Sequence, residues 1–119
     1  MSYPFEHGDE TLWDAGYHGG QLYAALARAA AGVLDVPSGL TPTPQGGCAV
    51  DGDEFQVFVQ RLYELSGSGT SEVLRELGHG LLVTSLVLLE RTGRRISARP
   101  DHTAALDDAR ARLARTMTP

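Results

Sequence analysis

The histidines, the side chains best suited to bind metals or move protons near neutral pH, are spread along the chain. They are His7, His18, His79 and His102, and none lies three or four residues from another. A helical metal site needs two histidines about one turn apart, so we predict no structural metal and no cofactor. The alternative that this spacing leaves open is a site assembled from distant residues, in which His18 and Asp14 meet His79.

The segment Gly78-His79-Gly80 lies inside a predicted helix, where glycine is unfavourable. Each glycine costs roughly 1 kcal/mol relative to alanine in a helix interior. A second helix that crosses closely would explain both glycines, and we favour this packing interpretation. The functional interpretation is that the glycines open space beside His79, which makes His18 and His79 the candidate ligand-binding residues.

Acidic residues surround the single tryptophan near the N-terminus, where Asp9, Glu10 and Asp14 flank Trp13. Tryptophan is enriched at the centres of protein interfaces, and acidic residues at the rim speed the encounter with a basic partner. We therefore predict that Asp9, Glu10, Trp13 and Asp14 form a partner-binding site. The competing interpretation is that Trp13 packs into the core while the acidic side chains are solvated.

The signatures of the common catalytic machineries are not found. Cys48, the single cysteine, has no histidine beside it in the sequence and belongs to no catalytic cysteine signature. A phosphate-binding loop of the G-x-x-x-x-G-K type needs a lysine, but all ten basic residues are arginine. We therefore assign no catalytic residue, and the sequence favours a protein that is not an enzyme.

Charge is distributed unevenly along the chain. Residues 1–90 carry twelve acidic and three basic side chains, whereas residues 91–119 carry three acidic and seven basic ones. An acidic body repels phosphate backbones, so nucleic acid is not predicted as a partner. The same body favours a basic partner.

The N-terminus has neither the basic nor the apolar region of a signal peptide, and the longest apolar stretch is too short to span a bilayer. With one cysteine, the chain forms no internal disulfide, which fits a reducing compartment. We therefore expect a cytoplasmic protein without a membrane partner. The absence of lysine, together with the abundance of alanine and glycine, indicates a high-GC bacterial source such as an actinobacterium.

Apolar residues recur at helical spacing in four stretches, which predict helices over residues 19–36, 51–66, 70–92 and 101–117. Residues 1–18 are predicted to be an irregular arm, and residues 35–50 a loop. The fold expected from this pattern is mainly α, a compact four-helix bundle-like single domain over residues 1–119. The predicted core consists of Leu26, Phe55, Phe58, Leu62, Leu77, Leu81, Leu88 and Leu113.

Several short patterns occur together in a fixed order. They are Phe5-x-x-Gly8-Asp9-x-Thr11-Leu12-Trp13, Val36-Pro37-Ser38-Gly39-Leu40, Cys48-x-Val50-Asp51 and Phe55-x-x-Phe58-Val59. In this order and spacing the chain resembles an uncharacterised actinobacterial family of small proteins, known mainly from relatives of Streptomyces. The resemblance implies a single domain and supplies no activity, cofactor or site residue.

Two classes of function fit these observations. The first is a small non-enzymatic protein that binds another protein, for example as an immunity protein or an accessory subunit. Its partner would be a foreign and basic protein, or a second copy in a homodimer. The second is a helical bundle that binds or converts a small molecule near His79. The acidic body, the small size and the lack of a catalytic motif favour the first class.

Overall fold

A four-stranded sheet and four α-helices make up the computed structural model, which describes all 119 residues. Helices contain 58% of the residues and strands 16%, so the fold is α/β. The prediction of a mainly α four-helix bundle is therefore wrong. The error lies in the two segments that were predicted to be irregular.

Residues 1–18, the predicted irregular arm, contain a β-hairpin. Strand β1 spans Ser2–His7 and pairs antiparallel with strand β2, which spans Glu10–Gly16. Gly8 lies in the turn with a φ of 61°, a conformation that glycine adopts without steric cost. The register shifts at Phe5 and Glu6, so that Leu12 is the extra residue of a β-bulge. The bulge interrupts the two-residue alternation from which the strand could have been recognised.

The predicted loop 35–50 contributes two short strands. Strand β3 spans Leu40–Pro42 and strand β4 spans Cys48–Val50. The sheet order is β2-β1-β4-β3, in which β1 and β4 are parallel and the other neighbours antiparallel. Pro42 is compatible with β3 because β3 is an edge strand. Strands of three residues are too short to show a period, so the sequence pattern did not reveal them.

The helices lie close to the predicted ranges: α1 spans Tyr17–Leu34, α2 Gly52–Leu62, α3 Glu72–Arg91 and α4 Pro100–Ala114. A π-helical turn, Tyr63–Gly67, continues α2. The side chain of Asp51 accepts a hydrogen bond from the backbone N–H of Glu54 at 3.0 Å and so caps the N-terminus of α2. None of the helices combines the length and the hydropathy needed to cross a bilayer.

The core contains 22 buried residues, drawn from one face of the sheet, from α1, α2 and α3, and from the C-terminal tail. Four of the eight predicted core residues are buried, namely Phe55, Phe58, Leu62 and Leu88. Leu81 and Leu113 are half-buried. The prediction is wrong for Leu26 and Leu77, which are 49% and 76% exposed.

Arg91 ties the C-terminal tail to the sheet and to α3. Its guanidinium donates hydrogen bonds to the backbone carbonyls of Leu12 at 2.7 Å, Met117 at 2.6 Å and Ala114 at 3.2 Å. Burial lowers the pKa of Arg91 below its usual range. One further backbone bond joins the Asp14 N–H to the Thr118 carbonyl at 2.8 Å. These contacts hold β2, α3 and the tail in fixed relative positions.

Candidate functional site

Apolar residues recur at helical spacing on two different faces of α1, one with small and one with large side chains. The fold buries the face with the small side chains. The buried small residues are Gly20, Ala24, Ala27 and Ala31. A Cβ atom added to Gly20 would lie 2.7 Å from the Cβ of Tyr3, so α1 approaches β1 closely there. The other face carries Leu22, Leu26 and Val33, and Leu26 was predicted to lie in the core. That prediction is wrong, because the aromatic side chains of the sheet leave room only for small residues.

The large apolar residues of the outer face of α1 are in contact with solvent. Leu22 is 61% exposed, Leu26 49% and Val33 79%. On α3, Leu77 is 76% exposed and lies one helical turn before the half-buried Leu81. Apolar surface from two adjacent helices is thus available for contact with another molecule.

A groove of about 200 Å³ separates these two helices. We call it the α1–α3 groove, and it is lined by Trp13, Gly19, Leu22, Tyr23, Leu26, Gly80, Leu81 and Thr84. No acidic or basic side chain lines it. Burial raises the pKa of the Tyr23 phenol well above its usual value, so this ring also stays neutral. An uncharged groove of this kind selects apolar side chains.

The two glycines around His79 have different surroundings. A Cβ added to Gly78 would lie 2.5 Å from the Cβ of Ser66, so Gly78 allows α3 to pack against the π-helical turn. A Cβ added to Gly80 would meet no atom within 4 Å. Packing inside this chain therefore explains Gly78 and does not explain Gly80, which lines both the α1–α3 groove and a hollow between α3 and α4 that His79 borders.

Trp13 lies at one end of the groove and contacts the core as well. Its ring is half-buried and stacks on Phe5, with ring centroids 5.2 Å apart and planes inclined by 11°. The Tyr23 ring meets it edge-on at 6.1 Å. One face of the Trp13 ring therefore packs on the core, and the remaining surface lines the groove.

The three acidic residues predicted to act with Trp13 are not grouped around its ring. Asp9 and Glu10 are exposed at the turn of the hairpin. Asp14 is exposed and follows Trp13 directly in β2, so its side chain points to the opposite face of the sheet. The groove therefore brings Trp13 together with leucines and glycines rather than with these acids.

A short chain of hydrogen bonds fixes the floor of the groove. The hydroxyls of Tyr23 and Ser85 are 2.7 Å apart, and Ser85 donates to the backbone carbonyl of Leu81 at 2.7 Å. Tyr23 therefore donates to Ser85. These two hydrogen bonds link α1 to α3 and give the groove a preformed shape. A preformed groove lowers the entropic cost of ordering side chains when a partner binds.

His18 and His79, the alternative ligand-binding residues, lie in different surroundings. His18 is exposed in the first turn of α1, where its ring contacts Tyr17. His79 borders an open hollow of about 470 Å³ between α3 and α4, together with Arg112 and Thr116. His18 does not line this hollow. The structure has no group of three or more His, Cys, Asp or Glu side chains positioned to hold a metal ion.

The groove residues that the sequence interpretation missed are Leu22 and Leu26. Leu26 was assigned to the core because its spacing is helical. The sequence also contains a second stripe of helical spacing, formed by Gly20, Ala24, Ala27 and Ala31, which could have been assigned to the core instead. Period alone does not decide which of two such faces is buried.

The fold and this groove define a small α/β protein with an open, uncharged, helix-lined surface. The chain belongs to DUF6086, a family of unknown function whose model matches residues 1–119. The resemblance to a family without a known activity is confirmed at that level. The chain matches no curated protein and no solved structure. Function therefore has to be argued from the geometry of the chain itself.

Proposed function

We propose that this chain is a non-enzymatic protein-binding protein that receives an apolar helix of its partner in the α1–α3 groove. The observation that carries this proposal is the groove itself, which is uncharged and is lined by Gly80 and by the exposed Leu22 and Leu26. An immunity protein or an accessory subunit would work in this way. A cytoplasmic location and an actinobacterial source, both inferred from composition and sequence, accompany the proposal.

A helix fits the groove better than an extended segment does. Apolar residues three, four and seven positions apart on a helix bind in grooves between two other helices. Gly80 has open space above its Cα, so the partner backbone can approach α3 closely. Burial of a fully exposed leucine contributes about 1.5–3 kcal/mol. Leu22, Leu26 and Leu77 are half to three-quarters exposed, so each would contribute part of that amount to binding when it is covered.

The charge of the chain favours a foreign partner over a second copy. Residues 1–90, which form the sheet, α1, α2 and nearly all of α3, carry twelve acidic and three basic side chains. Two such bodies repel each other when they approach. A helix with basic residues beside its apolar face would be attracted instead, and we expect its association rate to fall as salt is added.

The alternative function, binding or conversion of a small molecule near His79, has a weaker basis. The hollow beside His79 is open, and Arg112, the cation that borders it, is already paired with Asp108 at 2.8 Å. His18 does not take part. We therefore rank this alternative second.

Site-specific crosslinking in the source cell tests the proposal. A photoreactive amino acid is placed at position 26, in the groove, and in a control protein at position 57, where valine is 53% exposed on α2. The partner captured at position 26 and not at position 57 is then purified. We expect Leu22→Glu to weaken its binding at least about tenfold, because a carboxylate would be buried in an apolar contact. The matched control Val57→Glu should leave binding unchanged.

Three outcomes would overturn the proposal. The first is that no protein is crosslinked specifically at position 26. The second is that the purified partner binds the Leu22→Glu variant as tightly as the original chain. The third is that the chain crosslinks only to itself at position 26, with a dimer in sedimentation that Leu22→Glu dissociates. That last result would assign the groove to a second copy.

A further inference from the structure

A second cavity, distinct from the α1–α3 groove, lies between α3, α4 and the segment that joins them. Its volume is about 350 Å³. Leu86 and Leu89 of α3, Leu106 of α4 and Ile96 of the connecting segment form its apolar lining. A cavity of this size holds one or two amino-acid side chains. It does not depend on the groove proposed above.

The connecting segment, residues 94–99, resembles an extended strand in which the backbone groups along one edge are hydrogen-bonded within the protein. Burial alternates along it, with the even-numbered residues half-buried and the odd-numbered residues exposed. Gln60 accepts from the Ser97 N–H at 2.7 Å and donates to the Ser97 carbonyl at 2.9 Å. Gln56 donates to the Arg95 carbonyl at 2.6 Å. Two glutamines of α2 therefore hold this segment as a neighbouring strand would.

The opposite edge of the same segment has no partner in the protein. The backbone N–H and C=O groups of Ile96 and Ala98 make no hydrogen bond to backbone or side chain. In an extended chain the backbone groups of successive residues point to opposite edges, so these groups point away from α2. The cavity is lined by residues 94–98, α3 and α4, and by no residue of α2. The free edge is therefore on the side of the segment away from α2, and the side chains of the same two residues, Ile96 and Ala98, line the cavity next to it.

Two of the charged side chains that line this cavity, one basic and one acidic, make no ion pair within the protein. Arg94 is paired with Asp53 at 3.1 Å and Arg110 with Glu90 at 2.7 Å. Arg95 lines the cavity and makes no ion pair. Asp107 also lines the cavity unpaired, which disfavours a run of acidic residues.

We propose that the free edge of residues 96–98 binds an extended peptide segment of another protein. The peptide adds as a strand to the N–H and C=O groups of Ile96 and Ala98, as in other cases of strand addition. One branched apolar side chain enters the cavity between Leu86, Leu89 and Leu106. A single Asp or Glu beside that residue pairs with Arg95.

An array of short peptides, acetylated and amidated at their ends, tests the proposal with the full chain. Each peptide has Val, Ile, Leu or Met at the centre and one Asp, Glu, Lys or Ser as its neighbour. We expect the acidic peptides to bind and to protect the Ile96 and Ala98 amides from hydrogen exchange. Arg95→Glu should weaken them about tenfold or more, since a charge-assisted bond is lost, and should shift the preference to lysine-containing peptides. The control Arg115→Glu changes an exposed arginine outside the cavity and should have no effect.

Clear results would refute this inference. If no peptide of the array binds, or if binding leaves the Ile96 and Ala98 amides unprotected, strand addition at this edge is wrong. If Arg95→Glu and Arg115→Glu weaken binding equally, Arg95 does not recognise the acidic residue. If sodium decanoate binds in the cavity and no peptide does, the cavity accepts a free amphiphilic anion and the peptide proposal fails.

Discussion

Gly78 and Gly80 are two residues apart in the same helix, and the structure predicts opposite effects of replacing them by alanine. Both substitutions remove the same unfavourable glycine from a helix interior, a gain of about 0.8–1 kcal/mol. The added methyl group at position 80 meets nothing within 4 Å. We therefore expect Gly80→Ala to stabilise the free chain by about 1 kcal/mol.

At position 78 the same methyl group collides with the π-helical turn. It would lie 2.5 Å from the Cβ and 2.6 Å from the Oγ of Ser66. Ser66 is buried and its hydroxyl donates to the Leu62 carbonyl at 2.8 Å, so it has little freedom to move. Overpacking of this kind costs about 1–3 kcal/mol, which matches or exceeds the helical gain. The two variants should therefore differ by about 1–3 kcal/mol in the free energy of unfolding.

Urea denaturation followed by circular dichroism measures both variants against the original chain under identical conditions. Gly80→Ala should raise the midpoint, and Gly78→Ala should leave it unchanged or lower it, with similar slopes. The same Gly80→Ala protein should bind the captured partner more weakly if the partner backbone approaches α3 at Gly80. A Gly80→Ala variant that is less stable than the original chain would show that the space above Gly80 is not open. Equal effects at both positions would refute the packing assigned to Gly78.

Further predictions concern the core and the tail. Trp13→Ala should destabilise the chain by about 2 kcal/mol, below the roughly 3–5 kcal/mol of a fully buried aromatic, because its ring is half-buried; a loss under about 0.5 kcal/mol in urea would contradict the stacking on Phe5. Burial raises the pKa of both Tyr3 and Tyr23, so the unfolded chain loses these protons first and stability should fall as pH rises above about 10. Tyr23→Phe should flatten this fall, and a slope equal to that of the original chain would refute the assignment to Tyr23. Arg91→Lys replaces the two guanidinium nitrogens that donate to three backbone carbonyls by a single ammonium nitrogen, which cannot reach all three in the same geometry. Amide exchange at Met117 should therefore be faster than in the original chain. Unchanged exchange would show that Arg91 does not hold the tail.

Helical periodicity identified the helices because each has a long stripe of large apolar residues or a clear cap. Asp51 illustrates the cap, since its side chain accepts a hydrogen bond from the Glu54 N–H. The sheet could not be found in this way. Strand β2 contains a bulge at Leu12, and β3 and β4 have three residues each, so none shows a two-residue alternation over a useful length. The parallel pairing of β1 with β4, which joins the two hairpins into one sheet, depends on contacts between residues far apart in the sequence, such as Phe5 with Cys48.

The candidate site was predicted in part. Trp13 lines the α1–α3 groove, but the acidic residues singled out with it are at the hairpin turn or on the other face of the sheet. Because residues 1–18 were predicted to be irregular, residues close to Trp13 in the sequence were also expected to lie close to it in space. In a strand the nearest residues in sequence point to opposite faces, so that inference fails for Asp14. The same misassignment hid the aromatic face that determines how α1 packs.

The large volume of the aromatic side chains on that face of the sheet explains why α1 exposes its leucines. Tyr3, Phe5 and Trp13 project from the hairpin toward α1, and Phe5 is completely buried. Interiors are close-packed, so large side chains on the sheet require small ones on the helix above it. Gly20 and the buried alanines satisfy this requirement, and rotation of α1 to bury Leu22 and Leu26 would force leucine against these rings. The exposed leucines therefore contribute little to folding, and Leu22→Glu should change the free energy of unfolding by no more than about 0.5 kcal/mol. Any large loss of partner binding in that variant then reports on the groove and not on the stability of the fold.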